Sequence, residues 1–317
     1  MIGGAHEEAE PRRRGDWKNC FMKVGGRDIQ ITGGLLRTAR LAVDAYESVD
    51  DPEATLAALR ASGSRIDLFT FMQKLPDTSP KYAYPMEWDN VAALPVSTFD
   101  HWWTKQINTN ARKAVRVAEK KGIVVREVPF DDALVRGISV VYNECPVRQG
   151  KPFRHYGKDL ETVRRENGTF LERSIFIGAF LEENLVGFAK LVCDQDHGQA
   201  GLMQIVSMIR HWDKAPTKAL IAQAVRSSAA RKIGYLLFAH FTYGNKPRDS
   251  LADFKQRNGF RQIELPRYYI PLTPLGRTAL RLGLHHPFVN RIPEPVLAEL
   301  RKARRRWYGH RLRVAKE

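Results

Sequence analysis

Cysteine is scarce in this sequence, with three residues in 317, and they are far apart. Cys20, Cys145 and Cys193 therefore predict neither a disulfide framework nor a cysteine zinc site, and they favour a reducing compartment. Long apolar runs are also absent, since no stretch reaches about 18 uncharged apolar residues and Met1–Asp16 mixes acids with arginines. We expect no signal peptide and no membrane span, and we place the protein in the cytoplasm.

Several catalytic signatures are missing as well. The sequence has no H-E-x-x-H motif and no tight cluster of aspartate, glutamate and histidine, which disfavours a metal enzyme. It has neither G-x-S-x-G nor a Walker loop, which argues against a serine hydrolase and a P-loop nucleotidase. We expect no bound metal and no tightly bound cofactor.

Basic residues, in contrast, are in excess. The chain has 51 Lys and Arg against 35 Asp and Glu, a formal net charge of +16, while its 43% apolar content is that of a folded protein. This balance favours a polyanionic partner, such as RNA, a phosphorylated small molecule or an anionic membrane surface.

Two segments carry much of this charge. Residues 276–317 contain eleven Lys or Arg and three Glu, and 301–308 interleaves cations with aromatics, a combination typical of RNA binding. Residues 105–121 predict a basic helix with three cations on one face. For both segments the alternative is a solvated surface, and for the tail also contact with the inner face of the membrane. The candidate RNA-binding residues are Arg112, Arg116, Lys120, Arg304, Arg305 and Arg306.

Apolar periodicity and turn residues predict the order of the elements. A hairpin around Gly25-Gly26 and a helix opened by Asp51-Pro52 indicate a small α+β unit. A basic helix follows, capped by Ser97 and ended by Gly122. Beyond it the pattern predicts strand, helix, three antiparallel strands, helix, strand, helix and strand. The chain length favours two domains.

Four stretches carry a resemblance to a known family. The most specific is 251–260, LADFKQRNGF, which has the form L-x-x-F-K-x-x-x-G-F. The others are the basic helix within 108–123, the turn CPVRQG at 145–150, and the hairpin within 176–189. With the element order, they resemble the GNAT acyltransferase fold, and in particular its FemAB branch. The turn departs from the family's Thr-x-x-Arg-x-Gly-like pattern, since Cys replaces Thr and Gln intervenes.

The resemblance implies an α+β chain of two tandem GNAT-like domains, with mixed, mostly antiparallel sheets flanked by helices. We expect a degenerate N-terminal domain at 1–97, the basic connecting helix at 98–122, a catalytic domain at 123–275 and a basic helical tail at 276–317.

The acyl donor is the point at which the sequence departs from ordinary acetyl-CoA-dependent members. They carry a glycine-rich pyrophosphate loop, whereas 209–220 has no glycine, and Pro216 lacks an amide hydrogen. A helix dipole with nearby lysines still offers a phosphate site. FemAB relatives use aminoacyl-tRNA, so we expect that donor, with acyl-CoA as the alternative. The candidate donor-binding residues are Met208, Ile209, Arg210, Lys214, Thr217 and Lys218.

Amide formation needs a neutral amine, donors for the tetrahedral oxyanion and a positive charge near the leaving group. The resemblance assigns catalytic weight to Phe254 and Lys255, and an ammonium offsets charge on a leaving oxygen or sulfur. His240 and Tyr243, at the end of the penultimate strand, are candidates for the base. The alternatives are a solvated Lys255 and a structural His240. A polar loop predicts the acceptor pocket, with the residues Arg148, Gln149, His155 and Tyr156.

The sequence thus predicts a metal-independent N-acyltransferase that moves an aminoacyl or acyl group onto an amine by direct attack. One alternative is an acetyl-CoA-dependent N-acetyltransferase of a small molecule or sugar. The other is an RNA-binding, non-enzymatic protein on a decayed acyltransferase scaffold.

Overall fold

The computed structural model describes residues 19–43, 47–148, 150–194, 196, 198–242, 250–286 and 299. Its strands are β1 (Asn19–Val24), β2 (Arg27–Thr32), β3 (Thr38–Leu41), β4 (Leu68–Met72), β5 (Met86–Pro95), β6 (Ile123–Val128), β7 (Val147–Arg148), β8 (Lys151–Pro152), β9 (Ser174–Leu181), β10 (Asn184–Cys193), β11 (Gln199–Ser207), β12 (Tyr235–Leu237) and β13 (Arg261–Pro271). Its α-helices are α1 (Pro52–Ala61), α2 (Phe99–His101), α3 (Thr109–Lys120), α4 (Asp132–Asn143), α5 (Leu160–Asn167), α6 (Pro216–Ala230), α7 (Ser250–Arg257) and α8 (Pro274–Arg281), with short π or 3-10 turns at Trp102–Gln106, Leu171–Arg173 and Ile209–Lys214.

Local sequence explains the first elements. Gly25 and Gly26 both have positive φ and form the turn that joins β1 to β2, a conformation that glycine adopts at little cost. The Asp51 side chain accepts from the amide of Ala54 and caps α1, with Pro52 at its first position. Both predictions are confirmed.

Eleven strands form one mixed sheet in the order β1-β2-β3-β4-β13-β5-β12-β11-β10-β9-β6. The last strand, β13, lies between β4 and β5 and pairs antiparallel with both. Helices pack against this sheet, so the α+β class is confirmed. The four segment boundaries stay predictions, and β13 joins the later part of the chain to the earlier part.

The connecting helix differs from the prediction of one helix capped by Ser97. Thr98 caps α2 instead, its side chain accepting from the amide of His101 at 3.0 Å. A π turn follows, and the backbone becomes extended at Ile107 before Asn108 caps α3. The break is explained by Asn108, whose side chain accepts from the amide of Ala111 at 2.8 Å and so favours a new helix start.

Two main groups of buried side chains hold the sheet and helices together. The larger packs α3, α4 and α6 against β9, β10 and β11, and includes Trp102, Tyr142 and Phe188. The second packs α1 against β1 to β4, and includes Tyr268 from β13. Among the described residues, no helix has the length and apolar character that crossing a membrane requires. The cytoplasmic location stays a prediction.

Candidate active site

The sheet opens between β11 and β12. These strands pair in parallel only from Gln199 to Gly201 on β11 and from Tyr235 to Leu237 on β12. The chain after β12 then follows β5, because the amide of Phe238 donates to the carbonyl of Ala92 at 2.8 Å, and the amide of Ala92 donates to the carbonyl of Ala239 at 2.8 Å. The rest of β11 pairs with β10 alone. A cleft therefore begins at this point of divergence.

A cavity of about 270 Å³ lies at this cleft. Its walls come from β11, from the chain just after β12, and from segments early in the sequence. Among the described residues that line it, Arg40, His240 and Arg267 are basic and none is acidic. Asp89 pairs with His240 and Arg267 and partly neutralises their charge, so the lining favours an anionic ligand group mainly through Arg40.

An ion-pair network fixes the His240 ring at the cavity wall. Its Nδ1 lies 3.2 Å from Asp89 Oδ1 and 2.9 Å from the carbonyl oxygen of Asn90. Arg267 donates to the other carboxylate oxygen of Asp89 at 2.7 Å. Burial opposes ionisation of Asp89, but the hydrogen bond from His240 and the charge of Arg267 outweigh it and hold the pKa of that carboxyl far below its usual value. The same hydrogen bond raises the pKa of His240 above 6.5.

Lys255 is fully buried on α7. Its Nζ donates to the carbonyl oxygen of His240 and lies 5.0 Å from the centre of the Phe238 ring. A buried ammonium needs such partners because desolvation is costly. The ammonium does not point to bulk solvent, so the alternative of a solvated Lys255 is wrong. It contacts the backbone of a cavity residue and does not itself line the cavity of about 270 Å³.

A second lysine, Lys218, lies against the ring of Phe254, the residue before Lys255. Lys218 Nζ lies 3.9 Å from the centre of the Phe254 ring and 3.2 Å from Asn258 Oδ1. Burial, with a smaller contribution from the charge of Arg257, lowers the pKa of Lys218 to about 8. The Phe238 and Phe254 rings meet edge to face, with centroids 6.5 Å apart. Two lysines thus lie against a pair of aromatic rings at the diverging strand.

Glu144 occupies backbone amides that we expected to bind the donor. Its carboxylate accepts from the amides of Ile209 and Arg210, each at 2.8 Å. Arg148 lies 3.4 Å from the same carboxylate, and the Glu144 side chain is only 7% exposed. The amide of Met208 donates to the carbonyl of Val186 at 2.8 Å. These amides already have acceptors within the chain.

The other candidate donor-binding residues lie just after this contact. Lys214 is 3.6 Å from the carboxylate of Asp213, and Thr217 Oγ1 is 2.7 Å from Ser207 Oγ. Met208 and Arg210 line a larger cavity, of about 730 Å³, between α4 and the turn that joins β9 to β10. Two of the candidate donor-binding residues, Met208 and Arg210, therefore line a cavity different from the one at the cleft.

The candidate acceptor residues differ in their surroundings, and the acceptor pocket stays a prediction. Arg148 is held by the carbonyl oxygens of Ser207 and Val141, at 2.7 and 3.1 Å. The His155 ring stacks on Tyr142, and burial, followed by the nearby cations, lowers its pKa to about 4. Tyr156 is 47% exposed. Gln149 lies outside the described residues.

The basic face of α3 is organised around one indole ring. The guanidinium groups of Arg112 and Arg116 lie 5.9 and 5.8 Å from the centre of the Trp103 ring. Lys120 is exposed on the same helix. Tyr243, Arg304, Arg305 and Arg306 lie outside the described residues, and their roles stay predictions.

Sequence reasoning missed Glu144 and Asp89. Both bind groups that are distant in sequence, since Glu144 reaches amides more than sixty residues away and Asp89 reaches His240 and Arg267. An acidic residue just after a helix or within a strand carries no local signal of such a partner. Only the three-dimensional pairing identifies them.

The fold is shared with FemX and with two further solved structures, so the resemblance noted in the sequence is confirmed at the level of fold. The chain superposes on FemX with a TM-score of 0.58 at 10% identity, over 86% of this chain and 88% of that one. The C-terminal domain of a putative lysylphosphatidylglycerol synthetase from Agrobacterium fabrum gives 0.53 at 12% identity, over 84% and 88%. L-PGS from Bacillus licheniformis gives 0.51 at 15% identity, over 83% and 87%. No family model matches the sequence, and no curated protein gives a significant match.

Proposed function

We propose that this protein is a metal-independent acyltransferase that moves an aminoacyl or acyl group from an activated donor onto an amine by direct attack. The observation that carries the proposal is the divergence of β11 and β12, with the buried ammonium of Lys255 at the end of the diverging strand. A cleft of this kind admits an extended acyl group, and a fixed positive charge beside it favours the transition state.

The reaction forms one bond and breaks one. The amine nitrogen attacks the acyl carbon, a tetrahedral oxyanion forms, and the bond from carbon to the leaving oxygen or sulfur then breaks. The attacking amine gives up a proton, for which His240 is the candidate acceptor, and the leaving group gains one. The field of Lys255 stabilises the negative charge on the leaving group. Because hydrogen bonding to Asp89 raises the pKa of His240, its basic form becomes populated as pH rises.

Glu144 favours aminoacyl-tRNA over an acyl-CoA donor. The amides of Ile209 and Arg210 donate to its carboxylate, so they are not free to bind a pyrophosphate. The paired arginines on α3 add a surface suited to a nucleic acid. Native mass spectrometry of the purified protein is expected to detect co-purifying tRNA. Saturable calorimetric binding of acetyl-CoA would support the acyl-CoA alternative instead.

A second acceptor class has one specific observation in its favour. The described part of the cavity lining contributes Arg40, Arg267 and His240 and no acidic residue, and Arg40, which is not paired with Asp89 as the other two are, suits a phosphodiester. One of the similar structures is named as a domain of a putative lysylphosphatidylglycerol synthetase. In this case a lipid hydroxyl replaces the amine as the attacking group. Transfer of a labelled acyl group to phosphatidylglycerol vesicles, but not to phosphatidylcholine vesicles, would support a lipid acceptor.

Replacement of the buried ammonium tests the proposal. Lys255→Met keeps the aliphatic stem and removes the charge, and we expect kcat to fall by about 100-fold to 1,000-fold, as for loss of one electrostatic stabiliser. Lys23→Met, at an exposed position on β1, is the matched control and should keep full turnover. Full turnover by a folded Lys255→Met protein would refute the role of Lys255, and binding of RNA without any turnover would support the non-enzymatic alternative.

A further inference from the structure

A cluster of two histidines and one glutamate lies outside the lining of the cavity at the cleft. His285 Nε2 is 3.0 Å and His286 Nε2 is 3.1 Å from the same oxygen of Glu87, Oε1. The three candidate ligand atoms lie within 4.8 Å of one another. Glu87 is on β5, and the histidines follow α8, so the cluster joins two parts of the chain that are distant in sequence.

The end of α8 presents both histidines to β5. Gly283 has a φ of +65°, and the amide of Leu284 donates to the carbonyl of Ala279 at 2.8 Å. This pattern is a helix-ending motif in which glycine takes the left-handed position. The chain reverses there, and the side chains of His285 and His286 reach Glu87 on the sheet.

Ring packing fixes the orientation of the two imidazoles. The His285 ring lies against Tyr269, with centroids 4.6 Å apart, and against His286, with centroids 4.0 Å apart. The His285 side chain is 3% exposed, whereas those of His286 and Glu87 are 38% and 41% exposed. The cluster is therefore buried on the side of His285 and open to solvent on the side of His286 and Glu87.

We propose that Glu87, His285 and His286 bind a divalent transition metal ion, with zinc as the representative ion. Zinc is bound tetrahedrally at about 2.0–2.1 Å by imidazole and carboxylate ligands, which places neighbouring ligand atoms about 3.3 Å apart. The two nitrogen-to-oxygen separations of 3.0 and 3.1 Å come within a few tenths of an ångström of that value. The solvent side leaves the fourth position for water.

The metal would attach the start of the basic C-terminal segment to the sheet. It neutralises the carboxylate of Glu87 and replaces two hydrogen bonds by three coordinate bonds. Among the described residues, the buried Nδ1 atom of His285 has no hydrogen-bond partner, so none of them provides the supporting contact that usually strengthens a histidine ligand. We therefore expect an affinity about 10-fold to 100-fold weaker than that of a fully supported site.

Metal titration of the full-length protein tests the proposal. After treatment with a chelator, the protein should bind Zn²⁺ in competition with a chromophoric indicator, and Co²⁺ should give the visible spectrum of a tetrahedral site. Loss of a supporting contact already costs about 10-fold to 100-fold in affinity, so loss of a direct ligand in His286→Ala should cost at least about 100-fold. Glu87→Gln, which keeps the shape of the side chain, should weaken binding in the same direction.

The control is His211→Ala, because His211 lies outside the cluster and should leave the site unchanged. Zn²⁺ should also raise the melting temperature of the wild-type protein and of the control, but not that of His286→Ala. The proposal is wrong if His286→Ala and Glu87→Gln bind Zn²⁺ as tightly as the wild-type protein, or if the wild-type protein shows no saturable binding.

Discussion

Replacement of Glu144 by alanine should convert an internal contact into an anion-binding site. The wild-type carboxylate accepts two backbone hydrogen bonds at 2.8 Å and pairs with Arg148 at 3.4 Å. Its removal leaves the amides of Ile209 and Arg210 without their acceptor, and leaves the guanidinium without its counter-ion. Burial already holds the pKa of Arg148 below its ordinary value, and the charge of Glu144 opposes that effect.

The expected loss in the free energy of unfolding follows from these contacts. Loss of one partner of a buried ion pair costs about 3–5 kcal/mol. Arg148 retains the carbonyl oxygens of Ser207 and Val141, so the lower end of that range, about 3 kcal/mol, is expected for Glu144→Ala. If phosphate binds in the place of the carboxylate, a phosphate concentration of 100 times its Kd should raise the free energy of unfolding of the variant by about 2.7 kcal/mol.

Urea denaturation followed by tryptophan fluorescence measures both effects. The wild-type protein, Glu144→Ala and the exposed control Glu119→Ala should be unfolded in phosphate and in chloride buffers of equal ionic strength. Only Glu144→Ala should gain stability specifically from phosphate. The reasoning is refuted if this variant is as stable as the wild-type protein in chloride, or if phosphate stabilises all three proteins equally.

Three further predictions follow from the pKa shift of His240, the packing of Gly276 and the basic face of α3. Hydrogen bonding raises the folded-state pKa of His240 above 6.5, so the stability that this contact adds is complete below about pH 6.5 and is lost as pH rises through the folded-state pKa. His240→Gln should therefore lower the free energy of unfolding more at pH 5.5 than at pH 9. An equal loss at both pH values would contradict this. A Cβ on Gly276 would lie 1.9 Å from the carbonyl oxygen of Asp67, so Gly276→Ala should cost about 3 kcal/mol or more in chemical denaturation, whereas Gly34→Ala, with open space around it, should be neutral. If α3 binds RNA, changing Arg112 and Arg116 together to Gln should reduce the slope of log K against log salt by about 2, and an unchanged slope would exclude this surface.

The sequence was sufficient for elements that are defined by local signals. The L-x-x-F-K-x-x-x-G-F stretch predicts a helix at Ser250–Arg257 and a strand beginning at Phe260, and the structure has α7 over that range and β13 from Arg261. Gly259, with a φ of +91°, forms the turn between them. Capping and turn residues act within a few positions, which is why the sequence alone identifies them.

Sequence patterns do not predict the contacts between segments that are distant along the chain. The position of β13 between β4 and β5 depends on pairings across more than 160 residues, such as Arg261 with Ala93. The sequence left a solvated Lys255 as the alternative to a catalytic one, yet Lys255 is fully buried, with its ammonium at the carbonyl of His240 and near the Phe238 ring. Long-range pairing decides both outcomes.

The same long-range pairing assembles the candidate site. Because β13 runs beside β5, Arg267 reaches Asp89, and Asp89 in turn holds the ring of His240 at the cavity wall. Arg40 also lines the cavity. Asp89 and Arg40 both belong to the predicted N-terminal domain at 1–97, so a fragment limited to 123–275 would lack the partner that raises the pKa of His240. The N-terminal part of the chain is therefore a component of the candidate site, and the chemistry proposed for His240 depends on it.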